Sequence, residues 1–75
     1  MKVVAEFEGG QVRPVKFWRG TREYKVKQVA MRFERRDGGR RYLCFSVGTG
    51  GMMAELVMDK EGMDWRIAKC EPYCI

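Results

Sequence analysis

The sequence contains no histidine and only one serine, Ser46. Histidine is the commonest general base and a leading metal ligand, so its absence removes both at once. Ser46 has no imidazole to activate it as a nucleophile. The acids Glu6, Glu8, Glu23, Glu34, Asp37, Glu55, Asp59, Glu61, Asp64 and Glu71 are dispersed. Asp59, Glu61 and Asp64 share one turn but lack the spacing of a calcium loop. We therefore expect no enzyme, and no small-molecule substrate.

Cysteine is scarce and odd in number: Cys44, Cys70 and Cys74. An odd count makes a poor disulfide framework, and reduced thiols fit a cytoplasmic protein. Three thiolates fall short of the four ligands of a structural zinc site. No metal and no other cofactor is expected. The glycine-rich stretch Gly48-Thr49-Gly50-Gly51 runs into Met52-Met53, whereas a phosphate loop carries Lys followed by Ser or Thr, so it reads as a connector. No apolar run reaches membrane-spanning length, and Glu6 comes too early for a secretory signal.

What remains is a folded composition. The 75 residues are 45% hydrophobic and include nine aromatics, too many for a disordered chain. One domain, 1–75, is expected, with residues 71–75 as a C-terminal tail. Helical periodicity is missing throughout. Turn signals recur at Gly9-Gly10, Gly20-Thr21, Asp37-Gly38-Gly39, Gly48 to Gly51 and Lys60-Glu61-Gly62. That spacing predicts an all-β fold: a small antiparallel meander with strands near 2–8, 12–19, 22–36, 40–47, 52–59 and 63–70. Five or six such strands suit a partly open barrel, SH3-like or OB-like, with a curled open-edged sheet as the alternative.

Register follows from the turns. With Gly20-Thr21 as a two-residue turn, Phe17 faces Tyr24, Val15 faces Val26, Trp18 faces Glu23 and Lys16 faces Lys25. The apolar and charged residues then sort onto opposite faces. Further along, the apolar phase changes from Tyr24 and Val26 to Val29, Met31 and Phe33. A bent, bulged strand near Lys27-Gln28 resolves the change. A three-residue loop at Asp37-Gly38-Gly39 pairs Phe33 with Leu43, Met31 with Phe45 and Val29 with Val47, and sets Arg36 against Arg40 and Arg35 against Arg41. The expected core is Val15, Phe17, Tyr24, Val26, Val29, Met31, Phe33, Leu43, Phe45, Val47, Leu56, Trp65 and Ile67.

The net charge is +5, but residues 13–41 alone carry eleven Lys/Arg against three acids. Like charges paired across a ladder work against folding, and this sequence makes that choice in two consecutive hairpins. An anionic partner, nucleic acid first, accounts for it. Lys16, Arg19, Arg22, Lys25, Lys27, Arg32, Arg35, Arg36, Arg40 and Arg41 would meet phosphates, while Trp18 and Tyr42 would stack on bases. The expected function is low-specificity nucleic-acid binding. The same charges also serve solubility and protect sheet edges. Trp18 equally suits a hydrophobic cover under a cation or a protein contact. The alternative function is therefore a protein-interaction module or homodimer using Trp18 and an open sheet edge.

The stretch Arg13-Pro14-Val15-Lys16-Phe17-Trp18-Arg19-Gly20-Thr21-Arg22-Glu23-Tyr24-Lys25-Val26, with Asp59 and Trp65 later, resembles a family of short uncharacterised bacterial proteins. These open an all-β domain with a Pro…Trp-Arg-Gly…Tyr-x-Val hairpin. The likeness spans roughly residues 13–67. It departs where the family often has another Trp, for this chain reads Met31-Arg32-Phe33. Some members are associated with lesion-bypass DNA polymerases, so the resemblance implies a DNA-repair setting and no catalytic residues.

Overall fold

The computed structural model describes residues 2–72, which form seven antiparallel β-strands and no helix. They are β1 (Val3–Glu8), β2 (Gln11–Arg19), β3 (Arg22–Lys25), β4 (Gln28–Asp37), β5 (Arg40–Gly48), β6 (Met52–Asp59) and β7 (Trp65–Pro72). Within each of two sheets, ordered β1-β2-β3 and β4-β5-β6-β7, every strand pairs with its sequence neighbour, and the order breaks between β3 and β4. Among the described residues no helix is long and apolar enough to cross a membrane.

The expected strand 22–36 divides in two, which raises the count to seven. Val26 still donates to the Val15 carbonyl (2.8 Å), but Lys27 already donates to Gly48 (2.7 Å). The chain thus changes sheets at Val26-Lys27, close to the predicted bend. The ladder irregularity itself lies further on, between Val29 and Met31, where Ala30 has no partner on β5.

The core lies between the sheets. Val12, Pro14 and Phe17 come from the first; Leu43, Phe45, Val47, Ala54, Leu56 and Met58 from the second. Phe17 stacks on Tyr24 (5.4 Å between centroids) and Phe45 on Trp65 (5.7 Å). The first hairpin has the predicted register, Lys16 opposite Lys25 and Phe17 opposite Tyr24. Gly20 supplies the positive φ (64°) that its turn needs.

The second hairpin corrects the expectation. Gly38 and Gly39 both have positive φ (59° and 85°), so they alone form a two-residue turn flanked by Asp37 and Arg40. The pairing slips by one residue: Phe33 faces Cys44, Arg32 faces Phe45, Arg36 faces Arg41 and Arg35 faces Tyr42. A one-residue slip moves every side chain to the other face. Met31 and Phe33, expected in the core, are 58% and 39% exposed on the outside of the second sheet. The bulge at Ala30 restores the phase, so Val29 meets Val47 as predicted. Val15 is a lesser correction. It has no partner on β1, where the ladder passes from Val4–Lys16 to Ala5–Pro14, and Val12 and Pro14 take the buried positions. A third irregularity lies between Glu55 and Leu56. Glu71 and Pro72 belong to β7, paired with Met53 and Met52, so the strand takes the first two residues of the expected tail; residues 73–75, including Cys74, lie outside the described residues.

Candidate nucleic-acid interface

The expected binding residues fall into three groups rather than one face. On the outer face of the first sheet, Trp18 is half-buried under two ammonium groups, Lys2 (4.7 Å from the ring centroid) and Lys16 (5.3 Å). Lys16 also lies 3.9 Å from Glu23, which offsets its repulsion from Lys25. Lys2 escaped the sequence reading because the unpaired Val15 shifts β1 by one residue and brings Lys2 beside Trp18. The Lys2 carbonyl accepts from the Trp18 amide at 3.1 Å.

At the β2–β3 turn, Arg19 and Arg22 line a cleft of about 430 Å³ with Tyr24, Met52, Cys70 and Glu71. Arg19 donates to Cys70 Sγ at 3.6 Å, and Arg22 lies over Tyr24 (5.6 Å). Lys27 marks the sheet crossing, its stem against Gly50. These cations stand apart from the third group.

The third group is the β4–β5 hairpin. Residues 30–41 are all exposed, and the turn end projects beyond the last β5–β6 pair, Tyr42–Asp59. The core-side face of this ribbon carries Arg32, Glu34, Arg36 and Arg41; the outer face carries Met31, Phe33, Arg35 and Tyr42. Arg32 sits over the Phe45 ring (6.0 Å) and Arg35 over Tyr42 (5.8 Å). Glu34 accepts a hydrogen bond from Lys60, and that bond, the Lys60 charge and then Arg41 and Arg32 hold its carboxyl below the usual range. Glu34 therefore stays ionised, with Lys60 on its Oε1. Arg40 is tied to Asp59 (3.5 Å) and Glu61 (3.9 Å). Asp59 is lowered mainly by the amide of Glu61, which it accepts at 2.9 Å. Arg32, Arg35, Arg36 and Arg41 have no carboxylate within ion-pair distance among the described residues.

Beneath the outer face lies a row that sequence reasoning missed: Phe33, Cys44, Val57 and Arg66 across four strands. Cys44 and Val57 are fully buried even though they sit on the side away from the core. Burial pushes the Cys44 thiol up, with Arg35 and Arg66 pulling weakly the other way. In a Cys70→Ser/Cys74→Ser background, a thiol reagent should modify native Cys44 about 10³-fold or more slowly than the urea-unfolded chain. Absorbance of the released thiol product gives both rates.

The fold and this surface define a class: an open, seven-stranded antiparallel β domain with an arginine-rich hairpin flanked by the exposed Phe33 and the half-buried Tyr42. In comparisons with known proteins, no family model, curated protein or solved structure matches the chain.

Proposed function

We propose that this protein is a non-enzymatic binding module that takes up nucleic acid with little sequence specificity. In this reading the two sheets, joined through the bent β3–β4 segment, are a partly open barrel of the SH3-like or OB-like kind. The observation that supports it best is the set of four arginines beside Phe33 and Tyr42, Arg32, Arg35, Arg36 and Arg41, none with a carboxylate at ion-pair distance among the described residues. Guanidinium groups track phosphates, and the exposed Phe33 ring offers a face for an unpaired base, while Tyr42 lies half-buried under Arg35. Lys16, Lys25 and Trp18 form a second, weaker patch, because Lys2 and Lys16 already occupy the Trp18 ring. The resemblance of the first hairpin to proteins linked with lesion-bypass polymerases points toward DNA.

Anisotropy titrations with a labelled single strand and a duplex test the reading. Neutralising four phosphates on a single strand predicts a slope of log affinity against log salt of about −3. Tighter binding of the single strand identifies base stacking. Absence of binding to either at low salt overturns the proposal.

A further inference from the structure

We propose that two copies of this chain join through the free edge of β4, antiparallel, with Phe33 opposite Phe33 of the second copy. β4 is an outer strand of its sheet, and among the described residues only β5 pairs with it along residues 28–37. The Gly38-Gly39 turn fixes which backbone groups are free. Asp37 and Arg40 flank the turn as a hydrogen-bonded pair, so Arg36–Arg41 is a non-bonded pair, and the alternation continues down the ladder. The Arg41 carbonyl accordingly points away from β4 and accepts from Lys60 (3.1 Å). By the same alternation the N–H and C=O groups of Arg32, Glu34 and Arg36 point off the open edge. None of the three has a backbone partner there among the described residues.

The free groups belong to even-numbered residues, so a second β4 must set even against even. Centred on Phe33, the pairing puts Arg32 opposite Glu34 of the second copy and Glu34 opposite its Arg32, both as hydrogen-bonded pairs. Phe33 meets Phe33 as a non-bonded pair, where side chains approach most closely. Met31 lies along the stem of Arg35. Centring on Arg32, Glu34 or Arg35 sets a charge against itself, and centring on Met31 forms no charge pair, because Arg32 then faces Ala30 and Glu34 faces Gln28. The segment Arg32-Phe33-Glu34 is thus self-complementary when read antiparallel. It lies beside Met31, and Met31 and Phe33 are two of the large apolar residues left in solvent. The product is one continuous eight-stranded sheet with two-fold symmetry, closed rather than fibrous.

Sedimentation velocity of the full chain, free of nucleic acid, tests this separately from nucleic-acid binding. A monomer–dimer equilibrium is expected as concentration rises from micromolar to millimolar. Arg32→Glu or Glu34→Arg alone should raise the dissociation constant about tenfold, and the double reversal should restore it. Arg32→Pro removes an N–H that β5 does not use and should abolish the dimer while circular dichroism stays unchanged. In the unaltered chain, the amides of Arg32, Glu34 and Arg36 should gain protection from hydrogen exchange as concentration rises. A monomer at every concentration overturns the proposal. So does a dimer that ignores Arg32→Pro and leaves those three amides unprotected.

Discussion

Phe45→Ala should leave the chain largely unfolded in plain buffer. Phe45 has no exposed surface and sits at the centre of the second sheet, opposite Leu56 and stacked on Trp65. Truncating a buried phenylalanine costs about 3–5 kcal/mol. A domain of this size holds about 4–11 kcal/mol in total. With four edge strands and no described disulfide, the lower part of that range applies. Phe33→Ala is the matched control. Its ring is 39% exposed on the outer face, so dilute protein should lose less than about 1 kcal/mol. Urea titrations followed by far-UV circular dichroism measure both. Similar losses for the two variants would mean that the second hairpin takes the other register in solution.

The triple variant Arg35→Gln, Arg36→Gln and Arg41→Gln should weaken single-strand binding about a hundredfold at 0.1 M salt and flatten the salt slope by about two. Each lost phosphate contact removes a fixed share of counterion release, so affinity and slope should fall together. These guanidinium groups are exposed and lack carboxylate partners among the described residues, so the fold should tolerate the change. Arg40→Gln gives the contrast. Its guanidinium already lies against Asp59 and Glu61, and its loss should leave binding nearly unchanged. Equal effects per charge removed, the triple variant losing three times what Arg40→Gln loses in log affinity, would point to net charge alone, with no role for the hairpin's shape.

The two hairpins differ in how much of them could be read beforehand. Gly20-Thr21 allows only one short turn in which Phe17 meets Tyr24, and the polar residues then sort themselves. Asp37-Gly38-Gly39 allows two. The hydrophobic pattern favours the three-residue loop, which hides Met31 and Phe33 with Val29, Leu43, Phe45 and Val47. That preference assumes a layer of protein over the inner side of β4. The first sheet supplies little there, since β3 is only four residues long and residues 30–37 are all exposed. With nothing to bury against, Arg32 and Glu34 lose little by pointing inward. Two successive glycines then favour the tight turn, whose twist matches the strands.

The candidate site follows the same division. The sequence marked the cations and aromatics of residues 13–41, but their faces depended on register. The slip turned Arg32, Arg36 and Arg41 to one side of the ribbon and left Arg35 and Tyr42 with Phe33 on the other. Lys60 and Arg66, distant in sequence, joined them only through pairing with β5 and β6.

By itself the sequence determined the all-β class, the meander order, the turn positions, the first hairpin's register and the clustering of basic charge. These are local properties, set by strand periodicity and by glycines that can take positive φ. Tertiary structure decided the split of the long strand, the bulges at Val15 and Ala30, the slip of the second hairpin and which edges stayed open. Those depend on how far one sheet covers the other, and no stretch of the chain carries that information alone.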